Sequence, residues 1–465
     1  MLDNSIMKTL LKYDFDLFRG DKGIAEYIKG HLKEYYSDIV DAITKEKNDT
    51  LDVSCIEMIK NELAVLKKAC DEIPEILADY ENGHIKDAYI RSGNFFNELK
   101  PYLLFPFPWT NGCDDFYRIR KGDFRIKAAA DSKKQKRELF HISKKDRSKV
   151  GAYRYSLAGL PCLYLASNID LAWFECNMPK EFSFCHMVAT EELKLVDLAQ
   201  RPVDFLTCIR NSLLRAEQAN DENRKTKTYE ALIKYIITYP LAAACSVKVK
   251  DRSSSFVEEY IFPQLLMRWV QESTDMDGVR YRSALYSSLP KYSNAVNVAL
   301  PAKAFREDGL DKRLAAIIAV SDIGYLNVNE EFQKTKDELE ALKEFKNKLF
   351  LFHDDPSVCR CREEFEDLCE CIIDTYSALM EGDYTNGKLI FAFVENLKRY
   401  VDLLYQSYES KLSEYIQKPY PKEVIDPEII KDYFDEFYRL ATAIFSKKYR
   451  AFDGVNDDLG NYELL

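Results

Sequence analysis

"RYSLAGLPCLYLASNIDLAWFE", residues 154–175, decides how this chain is read. A turn at "LAGLP" (157–161) leads into a strand, with Leu163, Leu165 and Ala166 buried. Leu171, Ala172, Trp173 and Phe174 then read as a buried helix. Into this apolar unit are set Arg154, Tyr164 and Glu175, spaced ten and then eleven residues apart. A carboxylate in such company costs energy unless something needs it. Strand alternation puts Cys162, Tyr164 and Ala166 on one face and Leu163 and Leu165 on the other. Ser167 and Asp170 form a capping-box-like helix start with Asp in place of Glu. Leu171, Glu175 and Met178 share one helical stripe, and Trp173 and Phe174 make the flanking faces apolar. Glu175 is therefore expected to be walled in, with Arg154 as its nearest partner. An Arg–Glu pair around a tyrosine makes a polar pocket on an apolar floor. A purely structural buried ion pair is the plainer alternative, and the residues alone leave both open.

The rest of the chain frames this unit. At 465 residues it is too long for one ordinary core. An apolar share of 46%, with 30 Tyr and 27 Phe, marks a packed globular protein. Residues 1–110 read as an N-terminal helical region, in which Ile56, Ile59, Leu63, Leu66, Cys70 and Ile73 recur on one face. "FPFPWTNG" (105–112) is a boundary signal. Residues 111–325 read as an α+β domain. Its strand candidates are "FYRIR" (116–120), "PCLYLA" (161–166), "FCHMVA" (184–189), "LKLVDLA" (193–199), "VRYRSAL" (279–285), "AVNVALP" (295–301) and "LAAIIAVSDI" (314–323). "FVEEYIFPQLLMRWVQ" (256–271) reads as a helix interrupted by Pro263. Residues 326–465 read as a C-terminal helical region. There 330–350 and 429–445 are amphipathic, and Leu389, Phe393, Leu397, Val401 and Leu404 share a face.

Several classes drop out. A net charge of -11 repels phosphate backbones and argues against general nucleic-acid binding. "SKKQKRELFHISKKDR" (132–147) is a local basic patch, read as a solvated loop or, more sharply, as an anchor for small anionic phosphates. No run of about twenty apolar residues is present, so no membrane span is expected. The N-terminus does not read as a signal peptide. The twelve cysteines read as reduced thiols in a cytoplasm. Dinucleotide-fold glycine motifs, phosphate-binding loops and zinc-protease motifs are missing. His31, His84, His141, His186 and His353 do not cluster, so no metal is expected. Cys359, Cys361, Cys369 and Cys371 have spacing unlike a common zinc ribbon, and read as small hydrophobes on a helix.

The blocks "FYRIR", "ELFHISKKDRSKVGAYRYSLAGLPCLYLASNIDLAWFE" and "GVRYRSALYSS" together resemble the RES domain family, named for its Arg, Glu and Ser. The resemblance spans roughly 113–300. Arg154, Tyr164 and Glu175 match the family's spacing, and Ser283 in "DGVRYRS" supplies the serine. "YSLAG" after the arginine departs from the shorter members and places the chain in a longer, divergent branch. The resemblance implies an ADP-ribosyltransferase-like core and enzymes that consume NAD+ by phosphorolysis or hydrolysis, among them toxins held by antitoxins. It implies NAD+ as substrate, inorganic phosphate as a co-substrate, and no prosthetic group. It implies catalytic roles for Arg154, Tyr164, Glu175 and Ser283. Arg154 and Arg118 would hold phosphate oxygens of NAD+ or of the attacking phosphate, while Tyr155, His141 and Arg147 are second-tier candidates that more simply cap or pack loops. "EEYIFPQ" (258–264) would shape the pocket wall, with Gln264 satisfying backbone groups. Two alternatives accompany this reading: transfer of ADP-ribose to a macromolecule, and a helical interaction protein with an inactive core. The helical flanks would regulate, oligomerise or bind a restraining partner.

Overall fold

The computed structural model describes residues 5–15, 17–45, 53–104, 115–125, 132–251, 254, 256–283, 296–333, 335–351, 356–381, 397–398, 400–406, 427–453 and 462–465. The expected boundary at 105–112, and Leu389 and Phe393, lie outside them. Every strand expected in the middle of the chain forms. They are β1 (Asp115–Lys121), β2 (Cys162–Ala166), β3 (Glu181–Ala189), β4 (Leu195–Asp197), β5 (Gly278–Arg282), β6 (Val296–Pro301) and β7 (Ile318–Val320). With β8 (Gly324–Asn327) and β9 (Glu463–Leu464) they make one nine-stranded sheet. Its order is β4-β5-β6-β2-β1-β3-β7-β9, with β8 also on β3. Only β4–β5 is parallel among these pairs. The chain is mixed α+β.

The sheet is unevenly zipped. β1 pairs with β3 at seven positions and β2 with β6 at five. Between β1 and β2 a single pair, Tyr117↔Ala166, joins the two halves. Beyond that rung the strands part, and this split positions the candidate site.

Helices cover both halves. The N-terminal helices α1 (Ser5–Leu11), α2 (Ile24–Lys45), α3 (Val53–Asn61), α4 (Leu63–Glu81) and α5 (Ile85–Leu104) are followed by α6 (Ser132–Leu139) and α7 (Ile169–Glu175). Next come α8 (Pro202–Ala219), α9 (Glu222–Ser246) and α10 (Ile261–Glu272). From Thr228 to Cys245, α9 is buried on nearly every side, as a helix apolar all round must be. α1–α5 share one apolar core with α8–α10. The stripe Ile56, Ile59, Leu66, Cys70 and Ile73 is buried, as its spacing predicts, though across two helices broken at Glu62. On the other side, Trp173 and Phe174 of α7 pack with Phe345, Phe365 and Phe437 of the C-terminal helices, and Leu397, Val401 and Leu404 join them.

Four local expectations are corrected. Pro263 does not interrupt a helix. It sits in the first turn of α10, where its missing N–H would have had no partner anyway. "LAAIIAVSDI" is a short helix, Leu314–Ile317, before β7. The basic patch is not a loop: 132–139 is helical, and Lys136 is buried against Asp322 at 3.0 Å and Glu463 at 3.6 Å. Asn168, not Ser167, caps α7, its Oδ1 accepting from the Leu171 N–H at 2.7 Å. Ser167 instead joins β6, with its N–H donating to the Val296 carbonyl.

Candidate functional site

The site lies at the β1–β2 split. Directly paired residues of antiparallel strands point to one face. The pairs His186–Tyr117, Tyr117–Ala166, Ala166–Asn297 and Asn297–Tyr281 therefore make one continuous row across β3, β1, β2, β6 and β5. A second row, Tyr164–Ala299–Val279, runs beside it. Ala166 and Ala299 are small, so the tyrosines beside them have room above the sheet.

α7 ends at Glu175. The chain then turns sharply, with left-handed backbone at Asn177 (φ 61°) and Met178 (φ 49°). Because the helix stops there, Glu175 is exposed rather than walled in, although α7 itself is buried. The expected Arg154–Glu175 ion pair does not form. Glu175 Oε1 accepts a hydrogen bond from Asn297 Nδ2 at 2.7 Å. Asn297 is only 3% exposed, so its amide is a fixed donor.

Arg154 is committed elsewhere. Its Nη1 donates to the Cys245 carbonyl at 2.9 Å and its Nη2 to the Val247 carbonyl at 3.0 Å. These are carbonyls at the C-terminus of α9, which no further helical turn satisfies and where a cation also complements the helix dipole. Its guanidinium also lies over the Tyr260 ring, 5.3 Å from the centroid. The turn that carries Arg154 is held by Gln264, whose Nε2 donates to the Tyr153 carbonyl at 3.0 Å, as expected of that residue. Gly159, at φ 78°, supplies the left-handed backbone of the next turn, where its N–H reaches the Val150 carbonyl.

Tyr281 stands between the two charges. Burial raises its pKa well above the ordinary value, the Glu175 carboxylate adds to the rise and the Arg154 guanidinium opposes it. Tyr155 is buried, with its ring 4.2 Å from that of Tyr281. The Tyr164 hydroxyl is buried beside the Ser156 hydroxyl and the Tyr155 backbone, and burial raises its pKa well above the ordinary value.

Arg118 fills the split. In the register set by the single rung, Tyr164 would face Ile119. Instead the Tyr164 carbonyl accepts from Arg118 Nη1 at 2.7 Å. Arg118 Nε is buried without a partner, and no carboxylate pairs with this side chain among the described residues. Burial lowers its pKa, while the thiols of Cys176, Cys185 and Cys162 oppose that fall. A guanidinium remains charged even so. A half-buried cation with a spare donor on a buried Nε, and with no carboxylate partner among the described residues, is suited to an anion.

The remaining candidates divide. Ser283 is buried directly after β5, two residues beyond Tyr281. His141 is tied to the backbone. Its Nε2 accepts from the Asp311 N–H at 2.9 Å and its Nδ1 faces the Ile142 carbonyl at 2.9 Å, so both nitrogens serve the fold. Arg147 is exposed on the 3₁₀ helix Lys144–Lys149. Asn297 and Tyr281 are the site residues that the sequence reading missed. Asn297 is the lone polar residue of an otherwise apolar strand, the same signal that drew attention to Glu175.

No metal centre emerges among the described residues. Cys359, Cys361, Cys369 and Cys371 all fall on one helix, Pro356–Glu381, where residues two apart point to nearly opposite faces. Cys369 is accordingly buried and Cys371 half-buried, and the side chains of Cys359 and Cys361 lie outside the described set. No described helix is long and apolar enough to cross a membrane.

No family model matches the chain, and no solved structure matches it. A protein of Bacillus subtilis (strain 168) named "Putative toxin YopC" is 26% identical over 304 residues. The match takes in 62% of this chain and 64% of that protein, so the chain spans less than two thirds of the relative's length.

Proposed function

We propose that the β1–β2 split binds NAD+ and that the protein cleaves the nicotinamide–ribose bond. The core would then be ADP-ribosyltransferase-like and of RES type. The observation that carries this reading is the Glu175 carboxylate, held by Asn297 beside a tyrosine wall, with Arg118 in the split and no carboxylate paired with it among the described residues. The similarity to a protein named as a toxin supports it, because loss of NAD+ harms a cell.

The chemistry suits the residues. As the C–N bond breaks, its electron pair goes to the nicotinamide nitrogen and positive charge builds on the ribose. An adjacent carboxylate stabilises that charge, as in glycoside cleavage. Glu175 takes this role, and the Asn297 hydrogen bond leaves its second oxygen for the ribose. Water or a phosphate oxygen then bonds to the ribose carbon, and the attacking group's proton passes to solvent. Arg118 holds phosphate oxygens through its spare Nε–H. Tyr164 and Tyr281 flank the sugar, and Ser283 hydrogen-bonds the carboxamide or ribose. Arg154 acts as a positioning residue by fixing the turn above Tyr164. A consumer of NAD+ in a cytoplasm needs restraint, which an antitoxin or the helical flanks would provide.

Nicotinamide release from NAD+, followed by chromatography with and without inorganic phosphate, tests this. Wild type releases nicotinamide, and Glu175→Gln loses about a hundredfold or more. Dependence on phosphate separates phosphorolysis from hydrolysis. Equal release by wild type and variant would sink the assignment of Glu175.

A further inference from the structure

The end of α9 is held from two sides. Arg154 comes from the side of the candidate site and donates to the Cys245 and Val247 carbonyls. From the other side comes the segment between α1 and α2. The peptide group joining Val247 to Lys248 is used twice. Its carbonyl accepts from Arg154 Nη2 at 3.0 Å, and its N–H donates to the Leu17 carbonyl at 2.8 Å. Hydrogen bonds chained through one peptide unit polarise and strengthen one another. Two residues along, Arg19 reaches the second support of Arg154. Its Nε donates to Glu259 Oε1 at 2.6 Å, and its Nη1 lies 3.1 Å from Glu258 Oε2. Glu259 is 2% exposed and also accepts from the Lys250 N–H at 3.3 Å. Tyr260, whose ring lies against the Arg154 guanidinium, follows Glu259 directly.

A buried ion pair by itself is weak evidence of a role, because desolvation offsets much of its attraction. Placement is what distinguishes this one. Leu17 and Arg19 grip the two groups on which Arg154 rests, the α9 end and Tyr260. From Arg154 the connection enters the turn Tyr153–Ser156, which is closed by N–H to carbonyl bonds in both directions and held by Gln264. Tyr155 in that turn packs on Tyr281, whose hydroxyl feels the Glu175 carboxylate. Resting on the NAD+ reading above, we propose that Arg19 is a positioning residue for the cleavage: by holding Glu259 beside Tyr260 it fixes Arg154, the turn 153–156 and, through Tyr155, the Tyr281 wall. The N-terminal region is then part of the working site rather than only a cover for the core. A wall that shifts slightly loses the geometry in which bound substrate reacts.

The test uses the full chain with Arg19→Met, Arg19→Lys and the control Asp21→Asn, which removes an exposed partner of Lys250 from the same segment. Nicotinamide release from NAD+ and hydrogen exchange of backbone amides are both read below the unfolding midpoint of every variant. Arg19→Met should lower kcat/KM about tenfold. Arg19→Lys, which keeps the charge without the fork, should fall between it and wild type, and Asp21→Asn should match wild type. Added to Arg154→Met, Arg19→Met should cost nothing further, because both act on one turn. Exchange at 153–156 should rise in Arg19→Met while β1 and β3 stay protected. Additive losses in the double variant, an equal loss in Asp21→Asn, or unchanged release in Arg19→Met would overturn the proposal. If Arg19→Met or the double variant does not fold, exchange in Arg19→Lys decides. If wild type releases no nicotinamide, the NAD+ reading fails and exchange again decides alone. A rise at 153–156 with β1 and β3 unchanged upholds the route from Arg19 to the turn. Exchange there that does not rise, or that is already complete in wild type, overturns it.

Discussion

Asn297→Ala removes one hydrogen bond and little else. The amide donates to Glu175 at 2.7 Å from a residue that is 3% exposed, so it is a fixed donor, and a water that takes its place on the exposed carboxylate would not be fixed. The backbone of residue 297 keeps its place opposite Ala166 and Tyr281, so the strand survives. A hydrogen bond to a charged group contributes about 1.5–3 kcal/mol. If that bond holds the carboxylate in its working position, its loss lowers kcat/KM for nicotinamide release by roughly 10- to 150-fold, at about 1.4 kcal/mol per decade. Truncating one buried polar side chain should change folding stability by only about 1 kcal/mol. Asn297→Asp should fall at least as far, because it sets a second carboxylate against the first. The assay is steady-state nicotinamide release, with thermal unfolding measured on the same preparations. Activity of Asn297→Ala within about twofold of wild type, at unchanged stability, would refute the argument that Asn297 positions Glu175.

Two further outcomes follow from the surroundings of the site. Arg154→Met leaves the Cys245 and Val247 carbonyls uncapped and should lower unfolding stability by about 2–4 kcal/mol, with Arg154→Lys intermediate because a point charge cannot fork. A loss below about 1 kcal/mol in guanidinium unfolding would show that those bonds do not anchor the turn. Burial lowers the pKa values of His141 and His31 below their ordinary 6.5. The folded state then binds fewer protons than the unfolded one below that value. Their contribution to stability is whole above pH 6.5 and is lost as pH falls through their folded pKa values. Thermal midpoints measured from pH 7.5 down to 5 should fall, and His141→Gln should flatten the fall; a flat profile in wild type would contradict this.

What the sequence revealed and what it withheld have separate physical causes. β2 and α7 were legible because alternation and helical periodicity report burial directly, and "CLYLA" and "LAWFE" each have one reading. Asn168 was passed over because Ser167 and Asp170 imitate a cap. Which residue caps a helix depends on where the strand before it ends, and here Ser167 is still joined to β6. The partner of Glu175 was misassigned for a deeper reason. Arg154 is the nearest cation in sequence, but sequence distance says little about a sheet whose strand order interleaves β5 and β6 with β2. Asn297 is 122 residues away from Glu175, and only the β2–β6 ladder brings them together.

The split itself has no local signal, since "FYRIR" and "CLYLA" are both good strands. They part because Arg118, not an Ile119 backbone group, takes the Tyr164 carbonyl. Holding a half-buried guanidinium there costs desolvation that a continuous ladder to the same carbonyl would have avoided. The folding rule broken between β1 and β2 and the candidate anion site are therefore one feature, and the arginine that opens the sheet is also the residue left with a donor to spare.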